Sequence, residues 1–198
     1  MDDLARGIVQ ALQLMFAGDA ALLEIVVLSL QVTGIALAIA MVFGVPLGAA
    51  LGLSKIRARH LITILLYTGM GLPPVVVGLF VYLMLSRSGP FGQLGWLFTP
   101  SAMIAAQVMI AFPVVAGLTM AAVQGVDPQL RVQARSLGAT RWQEMWTVLR
   151  EARIGVVAAL VAAFGAIISE VGAVMLVGGN IEGKTRVLTT AIVLNTRT

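Results

Sequence analysis

Between Glu24 and Lys55 the chain carries no Asp, Glu, Lys or Arg. So long an uncharged apolar run is foreign to a water-exposed surface, whereas about 20 such residues suffice to cross a bilayer as a helix. The pattern then repeats. Residues 25–51, 61–85, 101–124 and 154–177 form four apolar runs, the last interrupted only by Glu170. Each predicts a spanning helix, because in lipid a segment must satisfy its own backbone hydrogen bonds. The expected fold class is all-α, a single polytopic membrane domain over 1–198 with four spans. After Arg186 the stretch 187–194 is too short to cross. An even number of crossings leaves both termini on one side.

Charge supports this and sets the orientation. Only 11% of residues are charged, against about a quarter in soluble domains, and mean hydropathy is +0.98. The net charge of +4 does not point to nucleic acid, since the basic residues lie in short loops between apolar runs. Lys55, Arg57, Arg59, Arg131, Arg135, Arg141, Arg150 and Arg153 crowd into loops 54–60 and 125–153. Arg6, Arg87, Lys184, Arg186 and Arg197 are spread thinly over the opposite segments. Loop 125–153 is therefore expected in the cytoplasm and the N-terminus outside. Trp96 and Phe98 then fall at the outer interface, Trp142 and Trp146 at the inner one. In residues 1–18, Leu4, Ile8, Ala11 and Met15 share one helical face, opposite Asp3, Arg6, Gln10 and Gln13. This suits an interfacial helix or a frayed terminus.

Several chemistries have no foothold. There is no cysteine, so neither a disulfide framework nor a thiolate metal site is available. His60, the single histidine, has no acidic neighbour and reads as a bystander. No Gly-rich loop ending in Lys-Ser/Thr exists to cradle nucleotide phosphates. The acidic opening Met1-Asp2-Asp3 is not a signal-peptide n-region. No catalytic group, metal ligand or cofactor is expected.

The polar insert 127–149 is patterned as two helices. Asp127-Pro128 is a helix start, with a capping carboxylate followed by a proline that has no N–H to lose. Gly138 is a helix stop that tolerates the left-handed conformation. Thr140 with Gln143 forms a capping-box pattern, and the second helix is expected to run straight into the fourth span. The small residues Ala134, Gly138 and Ala139 leave a corner slim enough to enter a cleft on another protein.

This insert resembles the cytoplasmic coupling loop of ABC importer permeases. Their signature is Glu-Ala-Ala, three residues, Gly, nine residues, Ile-x-Leu-Pro. Ala134 matches the second Ala, Gly138 the Gly and Val148 the Ile, while Val132, Gln133 and Arg150-Glu151 depart from it. A second block comprises 169–175 (Ser-Glu-Val-Gly-Ala-Val-Met), Gly178-Gly179-Asn180-Ile181, 183–186 (Gly-Lys-Thr-Arg) and Thr189-Thr190-Ala191-Ile192. Together these are similar to permeases of the tungstate, molybdate and sulfate oxyanion group, and within it to the tungstate type.

The resemblance implies a type I ABC importer permease fold with a fifth span following residue 198. It implies a homodimer in the cytoplasmic (inner) membrane of a prokaryote, a cytoplasmic ATP-binding subunit and an extracytoplasmic substrate-binding protein. The chain itself is then no enzyme. Ala134, Leu137, Gly138, Ala139 and Thr140 would couple to the ATPase. A molybdate or sulfate permease of the same class stays open, as does a secondary transporter or channel that needs no ATPase.

Within the membrane, Pro73-Pro74 must break regular helix and marks either a pore-lining break or a kink. Pro113 in the third run is a weaker case of the same kind. Glu170 is a gate or ion-pair candidate, with Arg186 or Lys184 as partner, or else a carboxylate satisfying loop backbone. Thr68, Ser169 and Asn180 can contribute to a polar seam. Gly44, Gly48 and Gly52, at every fourth residue, permit close helix contact.

Overall fold

The structure, a computed structural model, describes residues 20–54 and 58–195. The helix expected over 1–18 lies outside the described residues, as do Lys55, Arg57 and Arg197. All the regular structure among the described residues is helical. Helix α1 is Ala20–Leu53, α2 Ala58–Gly71, α3 Pro74–Leu85 and α4 Pro100–Gln124. Then follow α5 Pro128–Ser136, α6 Arg141–Glu151, α7 Arg153–Ile168, α8 Gly172–Gly178 and α9 Leu188–Asn195.

Two helices, α1 and α4, are long and apolar enough to cross alone, and up to four crossings result if each bent helix pair is one span. At 1.5 Å per residue α1 is about 51 Å long, well beyond the ~30 Å hydrocarbon layer. The run 61–85 is not a straight crossing. Helices α2 and α3 meet at 102°, because neither Pro73 nor Pro74 has an N–H to give a continuing helix. The chain restarts with Val76 N–H donating to the Pro73 carbonyl at 2.9 Å. Helix α4, by contrast, runs through Pro113 without a break.

Two further expectations are corrected. The run 154–177 is divided: α7 ends at Ile168, and α8 begins at Gly172. Helix α6 does not run straight into α7 either, since the two are bent by 72° around Ala152. The sequence changes character there. Helix α6 buries Glu144 and Val148 on one side and exposes Trp142 and Trp146 on the other, whereas α7 is apolar along its length. A two-faced helix follows a boundary and an apolar one enters lipid, so the direction turns at the junction.

Helix α4 is the hub, packed against α1, α2, α3, α7 and α8. It meets its neighbours through small side chains on both sides: Ala106, Ala111 and Ala116 of α4, Ala36 and Ala40 of α1 and Ala163 of α7 are all fully buried. In lipid, where burial of apolar surface drives little, such close backbone approach supplies the attraction. The Gly44, Gly48 and Gly52 row of α1 lies directly on α4. A Cβ at Gly48 would collide with the Ala116 carbonyl oxygen and stand 2.9 Å from Thr119 Cβ. Gly34, on the same helix, has nothing within 4 Å of such a position.

Gly48→Val is expected to separate α1 from α4 and destabilise the protein by about 3 kcal/mol or more, as over-packing does. Gly34→Ala should stay within about 0.5 kcal/mol of the parent. Unfolding midpoints of both variants in detergent micelles, measured side by side, check the pair.

Candidate coupling site

The polar insert folds as an elbow locked at both ends of its corner. Asp127 Oδ1 accepts from Gln129 N–H at 2.8 Å and opens α5. At the other end Ala139 N–H donates to the Ala134 carbonyl at 3.0 Å, and Gly138 N–H to the Arg135 carbonyl at 2.9 Å. These are the paired bonds of a Schellman stop. Gly138 adopts φ +81°, where a side chain would be strained. Thr140 and Gln143 then cap α6 reciprocally: Thr140 N–H donates to Gln143 Oε1 at 2.8 Å, and Gln143 N–H to Thr140 Oγ1 at 3.3 Å. Leu137, at the tip, is 88% exposed. So exposed an apolar side chain on so fixed a corner takes no part in the core of this chain.

A charged cluster braces the elbow from inside. Glu144, only 3% exposed, accepts from Arg131 Nε at 2.8 Å and from Arg135 Nε at 2.8 Å. Arg135 Nη2 adds a third bond to it at 3.1 Å. Arg131 Nη2 reaches past the elbow to the carbonyl of Leu53, the last residue of α1, at 3.0 Å. The hydrogen bond from Arg135, and then that from Arg131 with the charge of both, holds the Glu144 carboxyl below its ordinary value. The same carboxylate raises Arg135. An open cleft of about 570 Å³ lies between α5, the end of α4 and the α6–α7 bend, lined by Gly125, Asp127, Gln133, Glu151 and Gly155 among others. The cleft sets α5 off from the α6–α7 bend, while α6 packs on the bundle through Val148, buried with Ala49 and Val123.

The intramembrane candidates divide into two groups. Pro73 and Pro74 lie beside the Ser169–Val171 interruption, for a Cβ on Gly172 would sit 2.5 Å from Val75 Cγ2. At that interruption the exposed Ser169 turns its hydroxyl back to the Gly165 carbonyl at 2.7 Å. Glu170 accepts from Ala173 N–H at 2.9 Å, and its carbonyl accepts from Thr189 Oγ1 at 3.1 Å. Asn180 and Arg186 lie beyond the far end of α8. Asn180 has φ +50° and a buried Oδ1 without a partner. The ion pair considered between Glu170 and Arg186 or Lys184 is corrected: Arg186 Nη1 meets Glu182 Oε2 at 3.3 Å, and the Glu170 carboxylate caps backbone. Thr68 is exposed on α2.

Five residues at these sites carried no role in the sequence analysis, the buried Glu144 among them. Arg131 and Arg135 are spaced i, i+4 on α5, a signal for a shared acidic partner. Gln107, an amide in an otherwise apolar run, is 4% exposed and donates to the Ile167 carbonyl at 3.1 Å. Thr189 completes the seal at Glu170. Among the described residues no group of His, Cys, Asp or Glu is arranged to hold a metal ion.

Residues 44–196 match the family described as "Binding-protein-dependent transport system inner membrane component". The chain is 45% identical over 181 residues to a probable anion ABC transporter permease protein of Haloferax volcanii, covering 89% of this chain and 78% of the relative. It is 40% identical to the tungstate uptake system permease protein TupB of Peptoclostridium acidaminophilum, covering 98% of this chain and 85% of the relative. A solved structure of an amino acid ABC transporter with histidines shares the fold, at TM-score 0.66 and 22% identity over 93% of this chain and 81% of the other. The chain belongs to this family of multi-pass inner-membrane transport components.

The brace makes elbow stability depend on pH with a definite sign. A carboxyl held low in the folded state contributes stability above its unfolded pKa and loses it as pH falls through the folded value. Glu144→Gln should lower the thermal midpoint at neutral pH, and the gap to the parent should close as pH falls below the ordinary carboxylate value of 4.5. Thermal melts of both proteins across acidic buffers check this; a gap independent of pH would rule out the ionised carboxylate as its source.

Proposed function

We propose that the chain is the membrane-embedded subunit of an ATP-driven importer for a tetrahedral oxyanion, tungstate before molybdate or sulfate. It works as a homodimer, with the N-terminus external and residues 127–149 in the cytoplasm. The elbow at Ala134, Leu137, Gly138, Ala139 and Thr140 docks on a separate ATP-binding subunit. A substrate-binding protein delivers the anion from outside. Family membership and the transport roles of the relatives support the transport class. The observation that carries the docking role is the exposed Leu137 on a corner fixed by Gly138.

Mechanism follows from this geometry. Closure of two ATP-binding subunits moves two elbows, and each elbow tilts the helices attached to it. A ligand shifts such an equilibrium only by binding one state better, which the docking surface provides. The anion faces a large desolvation cost in lipid. Its path therefore runs past the breaks at Pro73–Pro74 and Ser169–Glu170, where polar groups interrupt apolar helix, with Asn180 and Arg186 beyond the far end of α8. Glu170 shapes backbone and repels a dianion, so it gates rather than binds. Tight binding belongs to the external partner, and ATP hydrolysis to the cytoplasmic one.

The test is reconstitution with the two candidate partners in vesicles. Tungstate uptake should require ATP and outcompete molybdate and sulfate. Leu137→Asp should leave the folded protein in the membrane and reduce co-purification of the ATP-binding subunit about tenfold, as loss of one anchor does. Preference for molybdate would change the cargo alone. Uptake without ATP, or full activity in the Leu137→Asp protein, would remove the docking role.

A further inference from the structure

We propose that Arg131 is a positioning residue which delivers elbow motion to α1, an inference that rests on the docking role proposed above. The elbow is joined covalently to two helices, from α5 back through residues 125–127 to α4 and from α6 through Ala152 into α7. Arg131 adds a polar link from α5 to a third, α1, to which the chain does not join it directly. Its guanidinium serves two groups on different elements, Glu144 of α6 through Nε at 2.8 Å and the Leu53 carbonyl through Nη2 at 3.0 Å. The last carbonyls of a helix have no partner of their own, and a cation at the negative end of the long α1 dipole is favourable. Arg59 of α2 reaches the adjacent Ser54 carbonyl at 3.1 Å. Helices α1, α2 and α5 therefore converge on Leu53–Ser54.

The link is selective for arginine. Glu144 is buried and shared with Arg135, so Arg131 cannot swing away without uncovering a carboxylate that water does not reach. A lysine keeps the charge for Glu144 but lacks the planar fork that holds a carboxylate and a carbonyl in fixed directions. Because α1 lies on α4 without intervening side chains at Gly48, motion passed to Leu53 also reaches the hub of the bundle. In Arg131-deficient protein α5 loses its direct hold on the end of α1, and its movement reaches that helix only through the apolar contact of Val148 with Ala49 and through its covalent neighbours α4 and α7.

Arg131→Lys and Arg131→Met in the complete transporter test the link. Both should still co-purify with the ATP-binding subunit, while anion imported per ATP hydrolysed falls about tenfold, the size of effect seen for residues within a coupled network. A merely structural role would lower hydrolysis and import together and leave that ratio unchanged. Nitroxide labels at Ala50 and Gln129, both exposed, give a second readout. In the parent their separation should be the same with and without ATP, and in Arg131→Lys it should change with nucleotide. An unaltered import-to-hydrolysis ratio and a constant label distance in Arg131→Lys overturn the proposal while the docking role stands. A parent transporter whose uptake ignores ATP overturns both.

Discussion

Lipid offers no hydrogen bonds, so a helix broken inside it must bring partners for every group it frees. The interruption at Ser169–Val171 shows how this chain does so. Four side chains from different parts of the sequence close one gap. Ser169 returns its hydroxyl to the end of α7, Gln107 supplies an amide from α4, Glu170 caps α8 and Thr189 donates to the Glu170 carbonyl. The break at Pro73–Pro74 uses a different device, removing donors from the chain instead of finding acceptors for them. The two breaks adjoin at Val75 and Gly172. The two breaks thus bring their irregular backbone together in one region of the bundle, the region through which the path proposed above would run.

Outside the bundle the constraint is reversed. Water satisfies backbone freely, so holding a short helical corner in a single shape requires local bonds strong enough to compete with it. The Schellman stop, the capping box and the Arg131–Glu144–Arg135 cluster are all such bonds. A pliant corner would absorb the motion of a docked partner; one held by so many bonds has the stiffness that the docking role proposed above requires.

Much of this was legible in the chain itself. Uncharged runs located the lipid-facing segments, and Asp127, Gly138, Thr140 and Gln143 located the corner, because capping depends on residues only a few positions apart. What remained hidden depends on breaks in helices that look continuous, or on residues far apart in sequence. Glu170 was visible as a carboxylate in an apolar run, yet its partners are Ala173 N–H and, at its carbonyl, Thr189. Neither contact follows from spacing on a continuous helix, which is the geometry the apolar run suggested. The bend at Ala152 was hidden for a related reason: no proline or glycine marks it, only the change from a two-faced helix to a uniformly apolar one. Arg131 finds its second partner 78 positions away, beyond the reach of any local pattern.

The glycine row between α1 and α4 has a consequence for how such a bundle can switch. Interfaces built from long side chains can slip by one notch as rotamers exchange, whereas backbone set against backbone has no teeth to re-engage. Gly48 over the Ala116 carbonyl is a contact of that kind. These two helices are in effect a single rigid strut, and any opening of the pathway has to come from the shorter, jointed segments swinging around it.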